Sequence, residues 1–193
     1  MKQLGICKDN ILVVTYVAGY RKEKNHFYLL NAFKYALEHV KLNNIEILLF
    51  LVGYGPEETA IKKKIMELGL EDNIILTGRR YDIPEILRAS DIAVHTSFVE
   101  SFGLGIVEAM ASGLPILALA NNSVENFVRN GYNGIVLPEN TPYETFGEVL
   151  VRLLENKRLR YRIGKRAREI VEKYFSLQGY LLKIFNLYEE VIS

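Results

Sequence analysis

The chain has 193 residues, 49% hydrophobic and 24% charged, which is enough interior for one self-folding globular domain. Lys plus Arg number 24 against 23 Asp plus Glu, a balance that excludes bulk attraction to nucleic acid and leaves any partner to be recognised locally. A single cysteine, Cys7, excludes an internal disulfide and suits a reducing compartment.

Residues 1–10, MKQLGICKDN, have no signal-peptide pattern and are expected to be a linker or hinge remnant of a soluble, cytoplasmic protein. From Ile11 onward, short apolar runs alternate with longer amphipathic segments, the sequence form of a βαβ series and a parallel sheet. Strands are expected near 11–18, 45–52, 73–77, 91–95, 115–119 and 134–137. The segment 25–40 carries Phe27, Leu30, Phe33 and Leu37 at helical period, a stripe for packing on a sheet. After the second strand comes a glycine loop, Gly53-Tyr54-Gly55-Pro56-Glu57. Pro56 suits a first helical turn and Gly69 ends that helix.

The stretch SFVESFGLGIVEAMASGLP, 97–115, is the most informative of the chain. Gly103 and Gly105 open a turn after the strand at 91–95, and a helix then starts whose free N-terminal amides form an anion site. Glu100 lies in the loop and Glu108 in the second helical turn, so both carboxylates can border one crevice fit for a phosphorylated sugar. Glycine loops at the C-terminal ends of two strands mark the place where open parallel sheets bind ligands. None of the three histidines, His26, His39 and His95, has metal-ligand spacing, and all are read as structural.

Beyond Pro138 the pattern turns helical, over 142–155, 157–174 and 178–192. The basic run KRLRYRIGKRAREIVEK alternates with Leu159, Ile163, Ala167 and Ile170, which reads as a solvated helix face. The last segment has a broad apolar surface that includes Leu182, Phe185, Leu187 and Tyr188. It either packs on this domain or reaches a neighbour outside the chain. The expected organisation is therefore a linker (1–10), a parallel α/β domain (11–175) and a C-terminal helix (176–193).

Several motifs together, AGYRKEKN (18–25), LVGYGPEE (51–58), Thr77-Gly78, IPEILRASDIAVHTS (83–97), the E-x7-E element Glu100–Glu108, GLP (113–115) and GYNGIVLP (131–138), carry a family likeness. The chain resembles the C-terminal, donor-binding domain of retaining glycosyltransferases of the GT-B fold, family four, almost from end to end. The resemblance implies a Rossmann-like parallel sheet with a helical cap, one half of a GT-B fold. It implies transfer of a glycosyl group to a hydroxyl acceptor once an N-terminal acceptor-binding domain is present in cis or in trans, with no metal and no cofactor beyond the nucleotide-sugar donor. The isolated chain is then expected to be inactive, and the complete enzyme is compatible with peripheral membrane association.

By the same resemblance Glu108 accepts hydrogen bonds from the ribose hydroxyls and Glu100 sits beside the transferred sugar. Phe102, Gly103 and Leu104 contact sugar and distal phosphate through their backbone, and Lys24 neutralises the leaving diphosphate. The chain departs from the family pattern after Gly19, where Tyr20 stands in place of the usual arginine and Arg21 follows as the candidate substitute. It departs again at Asn121-Asn122-Ser123, where the family has paired glycines and where asparagine is expected to preserve a positive-φ turn. A sugar-nucleotide epimerase half and a noncatalytic nucleotide-sugar-binding subunit are the alternatives.

Overall fold

The computed structural model describes residues 10–192; Cys7 and all but the last residue of the expected linker lie outside them. Six strands, β1 (Ile11–Val17), β2 (Glu46–Val52), β3 (Ile74–Gly78), β4 (Ile92–His95), β5 (Ile116–Leu119) and β6 (Ile135–Leu137), form one parallel sheet in the order β3-β2-β1-β4-β5-β6. Every expected strand is present. The inner strands β1, β2, β4 and β5 are buried almost throughout, as a sheet covered on both faces requires.

Helices α1 (His26–His39), α2 (Glu58–Leu68), α3 (Ile83–Ala89), α4 (Leu104–Ala111) and the single turn α5 (Val124–Phe127) connect the strands, and α6 (Tyr143–Glu155), α7 (Lys157–Tyr174) and α8 (Leu177–Ile192) follow. Strand order reverses between β1 and β4. Chain direction is such that the crevice beyond their C-terminal ends is walled by the loops leading into α1 and α4, the place where such sheets hold ligands.

The inward face of α1 is wider than the expected stripe, of which Leu30 and Phe33 are buried and Leu37 packs on the core. Leu29, Leu30, Ala32, Phe33 and Ala36 are buried, whereas Phe27 is 42% exposed, because α1 is covered by the sheet and by α6 together and turns a wider face inward. On α7, Leu159, Ile163 and Ala167 are buried as expected and most of the arginines and lysines face outward, whereas Arg160 is half-buried and donates to the carbonyls of Leu153 and Leu154 at the end of α6. On α8, Phe185, Leu187 and Tyr188 are exposed; the side chain of Leu182 lies outside the described residues. Among the described residues no helix is long and apolar enough to cross a membrane.

His26 opens α1 and is packed between Tyr16 and Tyr20, each ring centroid 5.2 Å away. Burial, aided by the positive charge of Lys24, lowers its pKa to about 4. The folded state therefore binds this proton less readily than the unfolded chain, whose histidine titrates near 6.5. Stability is full above pH 6.5 and is lost as pH falls from there through 4, by roughly 3 kcal/mol from this group. Urea unfolding across that range is expected to show the loss in the parent protein and a shallower one in His26→Phe; equal slopes would exclude His26 as the cause.

Candidate functional site

The site is assembled where the turns after β1 and β4 meet. A single 3-10 turn, Lys22–Lys24, follows β1, and Asn25 ends it with φ 55°, a left-handed conformation that asparagine tolerates. The carbonyl of Lys24 accepts hydrogen bonds from Tyr16 Oη at 2.8 Å and from Thr96 Oγ1 at 3.2 Å. This ties the turn to β1 and to the end of β4. Lys24 Nζ then donates to Glu100 Oε2 at 2.7 Å, with both side chains less than a fifth exposed.

The loop that carries Glu100 is held as firmly. Tyr16 Oη also pairs with Ser97 Oγ at 2.9 Å, and Phe98 donates its amide to the carbonyl of Glu23 at 2.9 Å. Asn121 Nδ2 donates to the carbonyl of Ser97 at 2.8 Å, and Ser123 Oγ to the carbonyl of Glu100 at 3.0 Å. Asn121 Oδ1 meanwhile accepts the amides of Ser123 and Val124 at the start of α5. The expected positive-φ turn at Asn121-Asn122 is not formed; among the described non-glycine residues only Asn10, Asn25 and Asn44 have positive φ. The segment acts instead through its side chains, an asparagine cap joined to the loop of Glu100.

His95, at the end of β4, is buried with Nε2 3.5 Å from Glu100 Oε2. Burial is the main cause that lowers its pKa to about 4; Glu100 pulls it up and Lys24 pushes it down again. The site at neutral pH is thus a neutral imidazole beside a lysine–glutamate ion pair.

Gly103 caps α4 with φ 84°, a conformation that favours glycine. At Gly105 a Cβ would stand 3.1 Å from the carbonyl oxygen of Val17, so the helix start lies close against the end of β1. At the start of α4 the amide of Ile106 turns back onto the carbonyl of Gly103 at 2.9 Å, and the amides before it are those that a helix start leaves without an acceptor inside the helix. Phe98, Val99, Phe102 and Leu104 form an exposed apolar rim around them. Glu108 occupies the second turn of α4 as expected, and partial burial raises its pKa. It borders a hollow of about 340 Å³ with Pro84, Leu87, Arg88 and Arg168.

Arg21 does not join Lys24. Its side chain is 67% exposed, 4.0 Å from Glu23, while Tyr20, in the position where the family pattern has arginine, is fully buried and donates its hydroxyl to the carbonyl of Leu51 at 2.8 Å. Gly19 lines a different cleft, about 360 Å³, with Gly53, Tyr54, Arg79 and Tyr81. Arg79 lies over the rings of both Tyr54 and Tyr81, 5.3 and 5.4 Å from their centroids, and Arg80 is held by Asp82. Tyr16 and Ser97 carry no local sequence signal, since they are 81 positions apart, whereas Asn121 and Ser123 stand in the segment that departs from the family pattern, and an asparagine three residues before a helical turn is itself a local capping signal.

Residues 2–170 match the family model described as glycosyl transferases group 1. The chain is 28% identical over 191 residues to N-acetyl-alpha-D-glucosaminyl L-malate synthase of Bacillus anthracis, covering 99% of the chain and 48% of that relative. It is 31% identical over 194 residues to UDP-Gal:alpha-D-GlcNAc-diphosphoundecaprenol alpha-1,3-galactosyltransferase of Escherichia coli, with 99% and 48% covered. The chain thus spans about half the length of these curated relatives. Among solved structures, Anabaena HepE in complex with UDP and glucose superposes with a TM-score of 0.83 at 26% identity, covering 98% of this chain and 50% of that one.

Proposed function

The chain belongs to the glycosyl transferases group 1 family and has the Rossmann-like architecture of one half of a GT-B fold, and from that premise we propose that it binds the nucleotide-sugar donor of a retaining glycosyl transfer. The observation that carries the reading is the Lys24–Glu100 pair, set at the reversal of strand order on the loop that leads into α4. A donor diphosphate needs positive charge in a restricted space. Lys24 and the amides of Gly103 and Leu104 supply it, and this support for the leaving group requires no metal ion.

In this reading Glu108 accepts the ribose hydroxyls. Glu100, held by Lys24, faces the transferred sugar and stabilises positive charge at the anomeric carbon while the acceptor hydroxyl attacks from the side of the departing diphosphate. The backbone of Phe102, Gly103 and Leu104 shapes the donor cleft, while Gly19 lines the separate cleft beside Tyr54 and Arg79. Arg21, its side chain two-thirds exposed, contributes positive charge from the rim rather than joining Lys24. Transfer itself requires an acceptor-binding domain, in cis or in trans, a requirement suggested by the half-length match to the relatives.

Calorimetric titration with UDP, GDP and ADP tests the reading. Because one relative is named for UDP-Gal and HepE was solved with UDP, UDP is the first choice. We expect binding of at least one nucleoside diphosphate and a loss of about 10- to 100-fold in Glu108→Ala, the scale of one charged hydrogen bond, with pyrophosphate binding unchanged. No nucleotide binding by the folded protein would overturn the proposal.

A further inference from the structure

Lys24 has two claims on it when a donor is bound. Its ammonium group donates to Glu100 Oε2 at 2.7 Å, and the same group is the charge offered to the diphosphate. Once Lys24 turns to an anion, Glu100 is left as a carboxylate with a side chain only 19% exposed, beside a ligand of like charge. A buried charge without a partner is costly, and repulsion from the diphosphate adds to that cost. Glu100 stays ionised and aimed at one place only if a second donor is at hand.

His95 stands where that donor is needed. Its Nε2 lies 3.5 Å from the same Oε2 and is buried without a hydrogen-bond partner, a rare condition that costs free energy until a partner arrives. Good N–H···O bonds span about 2.7–3.2 Å, so a shift of the carboxylate by about half an ångström closes the contact. The acceptor is a side chain already beside the ring, so no molecule has to enter from solvent. The ring itself is fixed in place. β4 is paired on both sides, by β1 and β5, with His95 in register with Ala118, and the Tyr16 ring stands perpendicular to the imidazole at 5.8 Å. Burial keeps the imidazole uncharged, so one nitrogen carries its proton. Beside a carboxylate that nitrogen is Nε2, because the other tautomer would turn a lone pair toward negative charge.

We infer that His95 is a positioning residue for the transfer, its Nε2–H taking over the Glu100 carboxylate when Lys24 engages the donor diphosphate, so that Glu100 remains held facing the sugar. No covalent bond changes and no proton is transferred; the carboxylate passes from one hydrogen-bond donor to another. The inference rests on the donor-binding reading of Lys24 and Glu100, whereas the handover can also be produced without any ligand, by removing the ammonium group.

The experiment follows the His95 ring by nuclear magnetic resonance in the full chain without ligand, with saturating UDP, and in Lys24→Met without ligand. The expected result is a proton on Nε2 in every state, moving downfield both with UDP and in Lys24→Met as its hydrogen bond forms. Two substitutions separate the donor from the space it fills: His95→Leu removes the N–H, and His95→Gln offers an amide donor of similar reach. His95→Leu is expected to weaken UDP binding about tenfold or more, the scale of a hydrogen bond to a charged group, and His95→Gln to restore most of it. In urea, His95→Leu is expected to cost little in the parent, where Nε2 is unpaired, and to lower the midpoint further in Lys24→Met, where it is paired. An Nε2 proton that stays in place in Lys24→Met, an equal cost of His95→Leu in both backgrounds, or UDP binding as weak in His95→Gln as in His95→Leu would each overturn the inference. Should UDP fail to bind, the donor-binding reading falls, and the spectra and unfolding of Lys24→Met decide the role of His95 by themselves.

Discussion

Lys24→Met is expected to weaken nucleoside diphosphate binding by about 10- to 100-fold at low salt, with a smaller loss at high salt. The side chain is similar in length and apolar volume, so the substitution removes the charge and its hydrogen bonds with little change in packing. A charge-assisted hydrogen bond is worth about 1.5–3 kcal/mol, and the factor follows from about 1.4 kcal/mol per tenfold in affinity. Added salt screens the remaining attraction in both proteins, so the difference between them narrows.

The same variant carries a second readout inside the protein. Burial is the main cause that lowers the pKa of His95, with Lys24 adding to it and Glu100 raising it, so removing Lys24 leaves burial alone against the upward pull. His95 is expected to titrate above its value of about 4 in Lys24→Met, as followed by the ring resonances, and to fall back when Glu100→Gln is added. Glu100, 19% exposed and now without its cation, also lowers stability, by about 1–2 kcal/mol. Unchanged diphosphate affinity at low salt in a folded Lys24→Met protein would remove Lys24 from the binding site, whatever His95 does.

Gly164→Ala is expected to destabilise the protein by about 2–4 kcal/mol, opposite in sign to the usual effect of placing alanine inside a helix. Alanine in a helix interior ordinarily gains about 1 kcal/mol over glycine. Here Gly164 of α7 lies directly on the turn between α4 and β5. A Cβ would fall 1.9 Å from the carbonyl oxygen of Gly113 and 2.9 Å from its carbon, and those atoms are backbone and cannot swing aside. The helix would have to lift from the turn, taking Ala167 and Val171 away from Ala109 and Met110 in their shared cluster. Urea unfolding measures the change directly. A variant as stable as the parent would mean that α7 does not rest on this turn, and would free α4 from the support ascribed to it.

These two residues also show the difference between what is local and what is not. The strands were legible because apolar runs such as ILVVTYV and EILLFLV are short, β-rich and bounded by turn residues, and each became a strand within one residue or so of its expected end. The start of α4 was legible from Gly103 and Gly105, whose missing side chains are needed by the turn itself. The E-x7-E spacing likewise placed Glu100 in the loop and Glu108 in the second helical turn.

The sequence by itself determined the alternation of strand and helix, the parallel class and the candidate charges, because periodicity, turn chemistry and capping act over a few residues. Only the tertiary structure decided which of those charges meet. Lys24 and Glu100 are 76 positions apart, and whether Lys24 or Arg21 turned toward the carboxylate depended on how the turn after β1 is tied down by Tyr16 and Thr96. The width of the buried face of α1 depended on α6, more than a hundred residues later, and the role of Asn121 on the loop it happens to face. Contacts of that kind are set by the packing of distant elements, and no local pattern of residues encodes them.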